Sequence, residues 1–179
     1  MALKWFKNQL AENYSFREID EIAKEIETRI NLLPYFCGSM PKYNPNATAT
    51  FSGINLTHTR AHFARAIMEA IAFTLKQNIE YVGVSSADEI RITGGGASSR
   101  LWSTIKSDVT GKVLKNLTES ETACLGTAIA SAVDIGDFAS LEEAVNSIVK
   151  TKDVYTPTGA DYTEAYRKYI ELDKTLILI

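Results

Sequence analysis

The chain has 179 residues, 45% hydrophobic and 23% charged, with 19 basic and 22 acidic side chains and a formal net charge of -3, a length and composition suited to one globular domain with its own core. That balance excludes the electrostatic footprint of a nucleic-acid binder, and no Lys/Arg cluster suggests a membrane surface. No apolar run reaches the roughly 18 residues of a membrane span, and the opening Met1-Ala2-Leu3-Lys4-Trp5 has no signal-peptide core, so the chain reads as cytoplasmic.

In chain order, Leu3 to Leu10 predicts a short helix with Trp5, Phe6 and Leu10 inward. Ser15-Phe16-Arg17-Glu18 is a capping box, in which hydroxyl and carboxylate each take one orphan backbone N–H. Ile19, Ile22, Ala23, Ile26 and Ile30 follow on one helical face, and Pro34 stops the pattern. Pro34, Gly38, Pro41, Asn44, Pro45 and Asn46 mark turns, with a short strand over residues 48–51. A long helix is predicted over 59–81, with Phe63, Ala66, Ile67, Ala70, Ile71, Thr74, Leu75 and Ile79 at helical spacing. Its apolar stripe is wide and Ala64, Ala70 and Ala72 are small, which suits packing on more than one side.

A strand–turn–helix unit comes next. Glu89 to Thr93 alternates as a strand, and Gly94-Gly95-Gly96 turn the chain. Ser98 or Ser99 caps a helix carrying Leu101, Trp102, Ile105 and Val109, and Gly111 ends it. Residues 113–117 read as a second strand. Thr118-Glu119-Ser120-Glu121 reads as a capping box before a helix of small residues (Ala123, Gly126, Ala128, Ala130, Ala132) built for close approach to a neighbour. Ser140-Leu141-Glu142-Glu143 opens another helix, with Leu141, Ala144, Val145, Ile148 and Val149 inward. The last runs from about Asp161, aligning Tyr162, Ala165, Tyr166, Tyr169, Ile170 and Leu176. The result is a helix-rich α/β chain of one domain, 1–179, with few strands. A sheet commonly has about five, so the shortage points to part of a larger fold.

The glycine run carries the main chemical signal. Glycine permits positive φ, and without a Cβ it lets another molecule approach the backbone. Exposed N–H groups at a helix start favour anions and polar ligand atoms; a plain tight turn is the alternative. The run is not a P-loop, because no Gly-Lys-Ser/Thr follows, and Ser99 replaces the last glycine of a dinucleotide fingerprint. Cys37 and Cys124 read as buried free thiols. His58 and His62, four apart, have no obvious third metal ligand and read as capping or interface residues. Arg65 and Glu69 form a helix ion pair. Asp88 and Asp108 are the carboxylates nearest the glycine turn, and no catalytic or metal-binding residue is assigned in this chain.

Four stretches together resemble the FGGY carbohydrate kinases. They are Leu33-Pro34-Tyr35-Phe36-Cys37-Gly38-Ser39 with Tyr43-Asn44-Pro45-Asn46-Ala47; Gly53 with His62 through Arg65-Ala66 to Glu69-Ala70 and Phe73; Thr93 through Ser99 with Trp102 and Asp108-Val109-Thr110-Gly111; and Glu119 through Thr127. Order and spacing match along nearly the whole chain. Ala70 stands where a glycine is usual, and Ser39-Met40-Pro41-Lys42 replaces the commoner Glu-Arg-x-Pro.

The resemblance implies an actin-like, ribonuclease-H-like ATPase domain. It implies transfer of the ATP γ-phosphoryl group, with Mg²⁺, to the hydroxyl of a small sugar, xylulose first and gluconate, ribulose or glycerol next. Gly95, Gly96 and Ser99 match positions that contact the adenine and ribose of ATP, Gly94 shapes the turn, and Lys4 matches a position near the nucleotide. The family's Asp-x-Gly-Thr phosphate loop and catalytic aspartate have no counterpart here. The chain therefore reads as the nucleotide-side, C-terminal part of a two-domain enzyme, inactive alone and prone to self-association through an uncovered sheet edge. The other classes open are a non-catalytic interaction module and a dinucleotide-binding oxidoreductase domain.

Overall fold

The computed structural model describes residues 1–39 and 44–176. Met40, Pro41, Lys42 and Tyr43 of the first motif lie outside the described residues, as does the side chain of Leu176. Helix α1 spans Ala2–Leu10 and α2 Phe16–Lys24; β1 is Asn31–Leu33 and β2 Thr50–Ser52; α3 runs from Arg60 to Tyr81. Strand β3 is Glu89–Ile92, α4 Arg100–Thr110, β4 Val113–Leu117, α5 Thr122–Asp134, α6 Leu141–Ile148, β5 Thr151–Tyr155 and α7 Thr163–Leu176.

Helix α3 is the axis. It starts where expected, with the Thr59 backbone N–H donated to His62 Nδ1 at 3.1 Å. Its buried Ala64, Ala66, Ala70 and Ala72 leave room for partners, and α1, α2, α4, β1 and α7 all pack against it. Trp102 of α4 donates its Nε1–H to the Met68 carbonyl at 2.9 Å, fastening α4 to α3. On the α7 side, the Tyr35 hydroxyl donates to Asp173 Oδ1, and Gln77 Nε2 donates to Asp173 Oδ2 at 3.0 Å. Burial, reinforced by Asp173, holds the Tyr35 phenol protonated, far above its usual range.

The Arg65–Glu69 pair is formed and reaches further than one helix. Arg65 Nε donates to Glu69 Oε1 at 2.6 Å, with the two side chains only 14% and 10% exposed. Nη1 donates to the Ala23 and Lys24 carbonyls at 3.3 and 3.2 Å, and Nη2 to the Tyr162 hydroxyl at 2.7 Å. The capping box at Ser15 and Glu18 forms, but α2 stops at Lys24 instead of running toward Pro34. Its last carbonyls are satisfied by Arg65 rather than by another turn. Ile26, Thr28 and Ile30 suit extended chain, and the following residues enter β1, with Leu32 opposite Phe51 of antiparallel β2.

The second sheet has the order β3-β4-β5, with β3 parallel to β4 and β5 antiparallel to β4. Strand β5 is not predicted by the pattern: it is short, carries Lys152 and Asp153, and is largely exposed, so only its partner β4 makes it a strand. The 118–121 box does not form; Glu121 precedes α5 without a side-chain cap. Instead the Thr93 hydroxyl lies within reach of the Glu119 and Ser120 carbonyls, at 3.1 and 3.3 Å.

Helix α5 packs against α6 with Ile129 buried, but its small residues Ala123, Gly126, Ala128 and Ala130 are exposed, and a Cβ on Gly126 would touch nothing within 4 Å. In α6, Ser140 caps as expected, but Leu141 and Ile148 are exposed and Ala144 alone is buried. In α1, Leu3 and Phe6 face inward while Trp5 and Leu10 are exposed, Trp5 resting against Phe36 with ring centroids 4.9 Å apart. Cys37 and Cys124 are free but exposed, not buried.

Replacing Arg65 by Met leaves Glu69 buried without its partner, which costs about 3 kcal/mol. Urea unfolding should show that loss, and the double change Arg65→Met with Glu69→Leu should recover most of it.

Candidate functional site

The glycine turn is built from three distinct constraints. Gly94 has φ 76 and ψ -171, a region open essentially to glycine alone. Gly95 to Ala97 then form one 3-10 turn, with Ala97 N–H donated to the Gly94 carbonyl at 3.0 Å. Ser99, not Ser98, caps α4: its hydroxyl accepts the Trp102 N–H at 3.0 Å. Gly111 ends α4 in the left-handed conformation, φ 67, as expected.

Two side chains hold the turn from below. Lys106 Nζ donates to the Gly96 carbonyl at 2.9 Å and lies 4.1 Å from the centre of the Trp102 ring. Asn116 Nδ2 of β4 donates to the Ala97 carbonyl at 3.3 Å. Burial pulls the Lys106 amine down to about 8. A Cβ on Gly96 would meet Lys106 Nζ at 3.4 Å and Trp102 at 3.6 Å, whereas one on Gly95 would touch nothing. Sequence reasoning passed over both residues. The spacing of Trp102 and Lys106, four apart on one helix, is a legible signal; Asn116 offers none.

Above the turn lies a cleft of about 830 Å³, within the range of small-molecule sites. It brings Gly95, Gly96, Ser99 and Lys4 together; Gly94 shapes the turn without lining the cleft. Helix α2 also lines it, through Phe16, Arg17, Asp20 and Glu21, and Arg100 stands at the start of α4. Burial raises the Asp20 carboxyl above its ordinary value, with Glu21 adding to the rise and the Ser99 hydroxyl offsetting part of it. Asp20 was not foreseen, because which face of α2 meets which loop is decided by packing.

The other candidates lie elsewhere. His58 Nδ1 accepts the Asn55 N–H at 3.1 Å and His62 serves Thr59, so both histidines organise the start of α3. Asp108 accepts the backbone N–H and the hydroxyl of Thr158, tying down the segment before α7. Among the described residues, no three His, Cys, Asp or Glu side chains are grouped to hold a metal. No described helix is long and apolar enough to cross a membrane.

Two stability tests follow from this geometry. Gly94→Ala should cost about 2 kcal/mol through backbone strain alone, while Gly95→Ala should stay within about 0.5 kcal/mol. Lys106 carries the second. Its folded-state value of about 8 lies below the ordinary lysine value of 10.5, so between the two the unfolded chain binds more protons. The Lys106 contribution to stability should therefore rise with pH across that window. The difference in denaturant midpoint between wild type and Lys106→Met should change in wild type's favour as pH rises, against the opposing effect of the buried tyrosines common to both.

The model of the FGGY family of carbohydrate kinases, C-terminal domain, matches residues 3–135. The chain is 32% identical over 174 residues to a xylulose kinase of Staphylococcus epidermidis, covering 94% of this chain but 35% of that protein. A xylulose kinase structure from Rhodospirillum rubrum superposes with a TM-score of 0.83 at 29% identity, covering 98% of this chain and 37% of that one. The gluconate kinase of Lactobacillus acidophilus, 20% identical, has the same fold at a TM-score of 0.88 over 98% of this chain and 37% of its own. The chain thus spans about a third of the length of the relatives it matches. The fold is the helix-rich, actin-like, ribonuclease-H-like ATPase type that the motifs imply, and the chain belongs to the FGGY family of carbohydrate kinases, matching its C-terminal domain.

Proposed function

We propose that this chain is the nucleotide-side part of an ATP-dependent sugar kinase, and that its glycine-turn cleft holds the adenosine end of ATP. The observation that carries the reading is the convergence of Gly95, Gly96, Ser99 and Lys4 on one cleft of nucleotide size. Bare backbone at Gly95 lets a flat ring lie against the chain. Lys4, Arg17 and Arg100 supply positive charge around the cleft, which suits the approach of a polyphosphate.

Phosphoryl transfer depends on positioning and charge neutralisation rather than covalent chemistry. This chain supplies nucleotide positioning. The family resemblance assigns the Mg²⁺ ligands, and the group that deprotonates the sugar, to the other domain of the enzyme. Xylulose is the first choice of acceptor, in line with the xylulose kinases among the relatives; gluconate, ribulose and glycerol follow.

Calorimetric titration of the chain should detect ATP and ADP, with NAD at least about tenfold weaker. Equal or tighter NAD binding would favour a dinucleotide-binding oxidoreductase domain and overturn this reading. ATP turnover with a panel of sugars should be absent for these 179 residues alone. Strands β3 and β5 are the outer strands of their sheet among the described residues, and such an edge is a template for pairing. Sedimentation should therefore show concentration-dependent association of the chain; a clean monomer at high concentration would count against an open edge.

A further inference from the structure

Helix α2 places Phe16 and Asp20 four residues apart on one face, and both line the same cleft as Gly95, Gly96 and Ser99. The Phe16 ring is about half exposed, at 48%. Asp20 makes no ion pair among the described residues, although Arg17 lines the same cleft. Its protein partner there is the Ser99 hydroxyl, which also accepts the Trp102 N–H. A partly buried carboxylate without a cation is an acceptor in need of donors.

The chemistry of a nucleotide narrows what Asp20 can face. It cannot face a phosphate, because like charges repel at close range. The adenine edge offers one amino group as a donor. A ribose offers two adjacent hydroxyls, matched to the two oxygens of a carboxylate, the same chemistry by which an acidic residue reads the ribose in dinucleotide sites. The half-exposed Phe16 ring and the bare Gly95 backbone line the same cleft and offer apolar, open surface that suits a flat base.

We propose that Asp20 is a specificity-determining residue of this cleft: its carboxylate accepts the 2′- and 3′-hydroxyls of the bound nucleotide and selects ribonucleotides over 2′-deoxyribonucleotides. The inference rests on the nucleotide reading above. Ser99 lies beside the carboxylate, and the Phe16 ring on the same helix face suits the base. Protonation of Asp20 at acid pH removes acceptor capacity, so the preference weakens as pH falls.

The test is calorimetric titration of the chain with ATP, 2′-deoxy-ATP and inosine triphosphate, for wild type, Asp20→Asn and Asp20→Ala. Wild type should bind ATP about tenfold more tightly than 2′-deoxy-ATP, the scale of a hydrogen bond to a charged group. Asp20→Ala should bind the two alike, and Asp20→Asn should fall between. In both variants the ratio of ATP to inosine triphosphate should stay at its wild-type value. Wild type that binds ATP and 2′-deoxy-ATP equally, or Asp20→Ala that keeps the ribose preference, overturns the proposal. A changed ratio of ATP to inosine triphosphate with the sugar preference intact assigns Asp20 to the base edge and also overturns it. Wild type that binds no nucleotide at all defeats the nucleotide reading itself, which separates the two failures. Unchanged urea midpoints for Asp20→Asn establish that any difference arises in the cleft.

Discussion

The guanidinium of Arg65 joins three parts of the chain that are distant in sequence. It holds Glu69 within α3, the last carbonyls of α2, and the Tyr162 hydroxyl at the entry to α7. Arginine suits this task because its planar fork presents several donors at fixed angles and stays charged when buried. The pair is sequestered, so its members depend on each other: either one alone is an uncompensated buried charge. By ending α2 at Lys24, Arg65 also fixes where that helix lies on α3. The α2 side of the cleft depends on that placement.

The glycine-turn side hangs on the same axis by a different bond. The Trp102 indole donates to the Met68 carbonyl, so α4 cannot rotate about its own axis without losing a buried hydrogen bond. The glycine turn sits at the start of α4 and inherits that rigidity. Lys106 and Asn116 then take the Gly96 and Ala97 carbonyls. The three glycines are therefore not a flexible hinge. They form a bare but supported surface, and a surface ordered before binding loses less entropy when a ligand arrives. The desolvation that depresses Lys106 is the penalty for that support, offset by the carbonyl and by the face of the Trp102 ring.

Much of this was legible from local pattern. The Ser15 capping box, the long helix from Arg60, the strand before Gly94, the Gly111 cap and the Arg65–Glu69 spacing are short-range signals, and each is present in the structure. The failures share one cause. Continuing the isoleucine pattern past Lys24 was reasonable for a helix in isolation, but a guanidinium about 40 positions further along the chain took the helix's terminal carbonyls. Strand β5 lacks an apolar face of its own and exists through β4. The 118–121 box gave way to contacts with Thr93, and α5 packs on α6 while most of its small residues stay exposed.

Local pattern was enough for most of the helices, for β3 and β4, for the motif set that marks the family, and for Gly95, Gly96 and Ser99 as residues lining the cleft. These depend on backbone preference, capping chemistry and spacing along one segment, which act over a few residues. Packing was needed to bring Phe16 and Asp20 into one cleft with Gly95, to choose Ser99 over Ser98 as the cap of α4, and to set Lys106 against the Gly96 carbonyl. Those outcomes depend on which helix face is buried against which neighbour, and burial is a property of the whole packed chain.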